Sequence, residues 1–263
     1  MKRCGWTYYL LLVLLTHSCS QVSESERFID VEPATVTRAV LIEEFTGQRC
    51  VNCPNAATEI ARFLQSYGED HVIAVAIHSG PLAIFSRDQV TGLRTVLGDT
   101  YYNYWSVEEE PSALINRKGG VVRLNQWQAL IHDQLQLQTP LSLKVTCQSR
   151  TTDGIDIQVS VHSSASYRGK LQVWLTENQV VAPQLMPDGT MNAEYVHQHV
   201  LRTAINGDWG DDIELEAGEN KVIHYDVEPS SDLVIDQLSV VSFVYSQTGV
   251  DQVTSCRILE MSY

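Results

Sequence analysis

The run Cys50-Val51-Asn52-Cys53-Pro54 joins a strand-like segment, Ala39 to Phe45, to a helix-like one, Asn55 to Tyr67, whose positions 56, 57, 60, 61, 63, 64 and 67 are apolar. No other feature restricts the chain as strongly, because two thiols at a strand-to-helix turn lie within reach of each other and beside helix-opening amides. Pro54 suits that place, since proline in a first turn gives up no hydrogen bond. A near-continuous apolar strand, His71 to Ile77, follows and completes βαβ grammar. Further helices are predicted over Asp88 to Leu97 and over Gln126 to Leu137, the latter with Trp127, Leu130, Ile131 and Leu135 on one face and Asn125 as cap. Between them Ser112 to Val122 reads as a strand and a turn around Gly119-Gly120.

The hydrophobic period changes to two after Thr139-Pro140. Leu141, Leu143, Val145 and Cys147 share a face, as do Ile155, Ile157, Val159 and Val161, then Leu171, Val173 and Leu175. Strands are also expected over Tyr195 to Ile205, Lys221 to Val227, Leu238 to Tyr245 and Val250 to Leu259, with turn signals between them at Asp153-Gly154, Asp188-Gly189, Asn206-Gly207 and Gly218. The fold class that follows is an α/β domain over 34–139 and an all-β, immunoglobulin-like antiparallel sandwich over 140–263.

Ahead of both, Lys2 and Arg3 precede the apolar run Tyr8 to Leu15, which has signal-peptide length and about half of what a bilayer span needs. Residues 1–18 are read as a cleaved signal. Cys19, just behind Ser18, is either the acceptor of a lipid anchor or an incidental cysteine of a secreted chain, and 19–33 reads as a polar, acidic tether. Losing residues 1–18 would remove Lys2 and Arg3 and no acid, taking the formal charge from minus 14 to minus 16. Such a surface neither binds a phosphate backbone nor is drawn to anionic lipid, so nucleic acid is excluded as a partner and membrane attachment falls to acyl chains.

Cys50, Cys53, Cys147 and Cys256 remain for chemistry, and four thiols allow three pairings. Adjacency favours Cys50 with Cys53. By elimination Cys147 and Cys256 either join the first and last sandwich strands or are buried small apolar residues. Haem attachment would need a histidine where Pro54 stands. A structural zinc site would need a second close pair, which neither Cys147 nor Cys256 offers, so no metal and no organic cofactor is expected. A dithiol/disulfide pair is left, redox-active or structural. If active, Cys50 is the nucleophile, its thiolate favoured by the helix amides and by Arg49 beside it.

Glu44-Phe45-Thr46-Gly47-Gln48-Arg49-Cys50-Val51-Asn52-Cys53, a helix, and later Pro111-Ser112-Ala113-Leu114-Ile115-Asn116-Arg117-Lys118-Gly119-Gly120 resemble, in that order, the active-site strand and the cis-proline strand of the thioredoxin fold. The resemblance implies that Cys53 resolves the mixed disulfide, that Glu44 relays its proton, and that Pro111, with Glu110 before it, presents backbone to substrate. Arg49 replaces the aromatic residue common before the first cysteine, and Val51-Asn52 replaces Gly-Pro. The segment from about His78 to Val107 is longer than in a minimal thioredoxin. With the leader, and with Tyr195-Val196-His197-Gln198-His199-Val200-Leu201-Arg202 in a β-rich tail, the whole layout resembles the Omp28-type outer-membrane lipoproteins of Bacteroidetes, a family described as outer-membrane proteins and possible adhesins or receptors.

Two functions therefore stand side by side: thiol-disulfide exchange on envelope or surface proteins, and surface recognition in which the Cys50–Cys53 bond is a staple. An active site predicts a partly exposed Cys50, a cis bond before Pro111 and a buried Glu44 behind Cys53. His197 and His199 would share a strand face but lack a third metal ligand. Glu108-Glu109-Glu110 reads either as a solvated loop or as a group that binds a cation or repels anionic substrates near the CxxC. Tyr101 to Trp105 either line a peptide groove over Cys50 or pack an inserted helix.

Overall fold

Buried apolar strands organise the molecule, and helices cover them only where the sequence period is helical. The computed structural model describes residues 36–150 and 154–258, so the readings on the signal, Cys19 and the tether lie outside the described residues. The first half runs β1 (Val36–Thr37), β2 (Val40–Thr46), α1 (Cys53–Tyr67), β3 (Val72–His78), α2 (Val96–Tyr104), β4 (Ser112–Ile115), β5 (Val122–Arg123), α3 (Leu124–Leu135) and β6 (Gln138–Thr139), with β6 pairing back to β1. β2 and β3 are parallel, with Val40 opposite Val72, and every residue of both is buried, as expected of strands covered on two faces. β4 and β5 add antiparallel on the other side of β2.

The second half contributes β7 (Leu141–Ser149), β8 (Ile155–Ser163), β9 (Tyr167–Glu177), β10 (Val180–Leu185), β11 (Met191–His197), β12 (Val200–Ala204), β13 (Asp211–Leu215), β14 (Glu219–Val227), β15 (Leu238–Ser246) and β16 (Gly249–Arg257). Four of these strands extend the sheet of the first half: the order is β16-β15-β9-β12-β3-β2-β4-β5, with β13 as a fifth, paired to β9. Strands from both sides of Pro140 thus share one sheet, and the described residues lie in one compact unit. The three-stranded sheet β14-β8-β7 packs on the far end of it around Leu141, Ile157, Val159, Leu171, Val173 and Val240, and the Cys147–Cys256 disulfide ties β7 to β16.

Four local expectations need correction. The helix expected over Asp88 to Leu97 forms later, at Val96–Tyr104, because Thr95 caps it by accepting the Gly98 amide, while Arg87 and Val90 close a turn on Gln89 in the left-handed region. Helix α3 starts at Leu124, so Asn125 lies inside its first turn; the cap position is Arg123, whose amide donates to the Gln126 side chain. The single strand expected over Tyr195 to Ile205 is broken where His199 takes φ +57, leaving β11 and β12 on different partners and removing the shared face proposed for His197 and His199. Finally, β10 and β13 were missed: β10 carries Pro183 and no polar alternation, and in β13 the alternation is confined to Ile213 and Leu215.

On one face of the β2–β3 sheet Val40, Ile42, Val72 and Ala74 pack against Ile60 and Phe63 of α1 and Trp127 and Ile131 of α3. On the other, Leu41, Phe45, Val75 and Ile77 meet Tyr101 of α2, Trp174 of β9 and Phe243 of β15. An ion pair is sunk in this second core. Arg117 donates from Nε and Nη2 to the Glu43 carboxylate at 2.7 and 3.0 Å, and its guanidinium lies 4.6 Å from the Tyr245 ring and 4.9 Å from that of Phe243. Asn116 aims it there: its Oδ1 accepts the Leu41 amide, and Asn116 and Arg117 both adopt left-handed φ.

Candidate functional site

The Cys50–Cys53 disulfide sits where β2 ends and α1 begins, with Cα atoms 5.4 Å apart. Cys53 and Pro54 form the first turn of α1, which has no acidic residue and no side-chain cap at Asn52, so its amide field faces the sulfurs undiluted. Arg49 is exposed beside them. The peptide bond between Glu110 and Pro111 is cis, at the entrance to β4. Glu110 and Cys50 and Cys53 converge: a carboxylate oxygen and both sulfurs lie within 4.8 Å of one another. Glu108 and Glu109 are exposed, whereas both Glu110 oxygens are shut off from solvent without a hydrogen-bond partner. Gly47 permits that approach, because a Cβ there would stand 2.7 Å from Glu110 Oε2 and 2.5 Å from the Leu82 carbonyl carbon.

Glu44 lies on the α1 face of β2, 3% exposed, its Oε1 also without a partner. With Cys53 it lines a cavity of about 700 Å3 that also touches His78, Gln184, Tyr195 and His197. The two imidazoles stand 5.1 Å apart, and His78 Nδ1 and His197 Nε2 have no partner. Burial pushes the Glu44 carboxyl up to about 8, the Thr46 hydrogen bond opposing and Glu110 adding to it. Burial likewise raises Glu110 to about 7, against the pull of Arg94. His197 falls to about 4 through burial, and His78 is held well below its ordinary value by burial and then by His197.

These shifts set a pH dependence. With raised acids, the native state keeps protons that the unfolded chain has released, so stability is lost as pH rises from the ordinary 4.5 towards 7 and 8. With lowered histidines the unfolded chain holds more protons, so stability is lost as pH falls from 6.5 towards 4. The two effects oppose each other between those ordinary values, and above 6.5 only the acids act. Urea unfolding should therefore give a maximum near pH 5–6 and a decline towards pH 8 of about 1.4 kcal/mol per pH unit for each group in its window. Glu44→Gln should flatten that decline; an unchanged slope in the variant would show that Glu44 is not its source.

The sulfurs are covered. Cys50 and Cys53 are each 3% exposed, not partly open as an active site predicts. The cover is the β10–β11 hairpin and the loop before α2. Gln184 Nε2 donates to the Cys50 carbonyl at 2.9 Å and the Leu185 amide to the Gln48 carbonyl at 2.8 Å. Gln48, fully buried, donates to the Thr91 and Pro183 carbonyls and accepts the Leu93 amide, and the Arg49 amide donates to Leu82. Sequence reasoning missed both glutamines and His78, since nothing in their spacing marks them. The aromatic run serves as packing: Tyr101 and Trp105 join the core of Trp174 and Trp209.

A parallel β2–β3 pair, antiparallel β4 and β5, a CxxC opening α1 and a cis-proline before β4 together make the arrangement of a thioredoxin-like protein, here extended by additional β strands. The chain belongs to the outer membrane protein Omp28 family, whose model matches residues 98–261. Among solved structures it is similar to HBP35 of Porphyromonas gingivalis, at 15% identity and TM-score 0.63 over 84% of this chain and 76% of that one. A domain of the outer membrane lipoprotein Omp28 of the same organism aligns at 24% identity over 47% of this chain and 92% of that one, with TM-score 0.34. No curated protein matches. Family membership associates the chain with the outer membrane, and among the described residues no helix is long and apolar enough to cross one.

Proposed function

We propose that this chain is a lipid-anchored envelope protein that exchanges disulfides with protein or peptide partners through Cys50 and Cys53. The observation that carries the reading is a pair of desolvated carboxylates at the disulfide: Glu110, with both oxygens unpartnered and one of them within 4.8 Å of the sulfurs, and Glu44, whose Oε1 is unpartnered and which lines one cavity with Cys53. A structural staple has no use for them, and leaving each unpaired costs about 1–3 kcal/mol; a dithiol that must gain and lose protons does. In the reducing direction the Cys50 thiolate attacks a partner disulfide and expels one partner thiolate, which takes up a proton. Cys53, deprotonated by Glu44, then attacks Cys50 Sγ and expels the second. Two electrons pass to the partner, and the Cys50–Cys53 bond closes until an external dithiol reopens it. Pro111, Glu110 and Arg49 would position partner backbone. Residues 34–139 would form the exchange unit and 140–263 an immunoglobulin-like sandwich, with the signal at 1–18, the acyl group on Cys19 and the tether at 19–33.

Insulin reduction in the presence of dithiothreitol tests it. The protein should accelerate the reaction well above the dithiothreitol background, and Cys50→Ser should return it to that background. Equal rates for parent and variant would leave the second reading, a surface recognition protein stapled at Cys50–Cys53, which the 3% exposure of both cysteines favours.

A further inference from the structure

We propose that, once reduced, Cys50 and Cys53 together with Glu110 form a binding site for a thiophilic divalent cation of the zinc class. Spacing within the sequence offered no second pair of ligands, and the third donor comes instead from the far side of the turn, through the chain reversal at Glu110–Pro111. Three features of the geometry support it. One oxygen of Glu110 and both sulfurs already lie within 4.8 Å of one another, a span that a tetrahedral ion with Zn–S of about 2.3 Å and Zn–O of about 2.0–2.2 Å draws together by side-chain rotation. Both Glu110 oxygens are buried with nothing to donate to them, the condition that a cation satisfies. Arg94, whose charge acts on Glu110, is committed to Asp99 at 2.9 and 3.0 Å. Cys53 and Glu44 line one cavity, which provides an approach for a hydrated ion. Two thiolates and one carboxylate leave the fourth position open.

The chemistry balances simply. A water-soluble phosphine passes two electrons to the disulfide; one water supplies the oxygen of the phosphine oxide and the protons of the two thiols, and Zn2+ then displaces both thiol protons to the buffer. The inference shares with disulfide exchange only the need for the bond to open, so the two can fail separately.

The full chain, reduced with phosphine and freed of it anaerobically, is titrated with Zn2+ against a chromophoric chelator, its free thiols counted by alkylation and mass spectrometry. One equivalent should bind to the reduced protein and none to the oxidised. Cys50→Ser should abolish it, and Glu110→Gln should weaken it by about tenfold or more, since even partners of ligands cost about 10–100-fold. The double variant Cys147→Ser, Cys256→Ser should retain it. Cd2+ in place of Zn2+ should give a thiolate charge-transfer band that disappears in Cys50→Ser. No bound equivalent on a protein with Cys50 and Cys53 free, an unchanged affinity in Glu110→Gln, or loss confined to the Cys147/Cys256 variant would each overturn the site. Binding by a protein inactive on insulin would sink exchange and keep the site; activity without binding would do the reverse.

Discussion

Replacing Glu43 with alanine should lower the unfolding free energy by about 3–5 kcal/mol, because it strands the Arg117 guanidinium in an apolar core. Both side chains are almost wholly buried, at 3% and 0% exposure. Among the described residues Arg117 has no other carboxylate partner; Nη1 already lacks a hydrogen bond, and the surroundings are the rings of Tyr245, Phe243, Trp174 and Trp105. Those rings attract a cation from within about 6 Å, though by only about 2 kcal/mol when desolvated, which does not replace a bidentate carboxylate. Arg117→Met alone should cost a similar amount by stranding Glu43. Changing both, to Glu43→Leu with Arg117→Met, should recover most of the loss, since no charge is then left without its partner. Guanidinium unfolding of the three variants at one pH checks this. A loss below about 1 kcal/mol in Glu43→Ala would mean that water reaches the pair. The pair joins β2 to the turn after β4, and its aromatic walls come from β9 and β15, so its removal loosens the sheet where strands from before and after Pro140 meet.

What could be read in advance followed the strength of the local signal. β2, α1 and β3 were legible because two largely apolar strands flank a 3.6-residue period opened by Cys53-Pro54, and hydrophobic patterning dominates at that range. The alternating strands β7, β8 and β9 were legible for the same reason at period two. The sharing of one sheet was hidden, because β12 meets β3 through the single register Val200 opposite Ala76, a contact with no trace in either sequence. Arg117 beside Lys118 reads as a surface basic pair; only the left-handed turn at Asn116-Arg117 drives it inward. At the site, Cys50, Cys53, Glu44 and Pro111 carried motif information. Glu110 entered only as the residue before that proline; its place against the sulfurs was hidden, since the last acid of a run of three reads as solvated until the chain turns it against Gly47. Gln48 and Gln184 lie 136 positions apart, and their meeting is a fact of tertiary structure alone.

That meeting controls access to the sulfurs, and loosening it should have the largest kinetic effect of any change outside the cysteines. The double variant Gln48→Ala, Gln184→Ala should reduce at Cys50–Cys53 about 10–100-fold faster with dithiothreitol than the parent. Gln48 makes three hydrogen bonds and Gln184 donates to the Cys50 carbonyl at 2.9 Å; each is worth about 0.5–1.5 kcal/mol net, and two or three lost bonds make opening tenfold or more easier at about 1.4 kcal/mol per decade. When attack requires an opening that recloses quickly, the observed rate follows the open population, so the easier opening appears directly in the rate. Cys147–Cys256 supplies the control within the same molecule, since it lies in the other core. Alkylation and mass spectrometry after timed reduction distinguish the two bonds. Faster opening of Cys50–Cys53 alone means that the hairpin is the gate. Equal acceleration of both would mean that the variant is globally destabilised, and no acceleration of either would mean that the sulfurs are shielded by something other than the β10–β11 hairpin. A gate held by neutral amides, rather than by a salt bridge or an apolar plug, can open without stranding a charge, and a protein partner that supplies its own backbone carbonyls to Gln48 and Gln184 would hold it open.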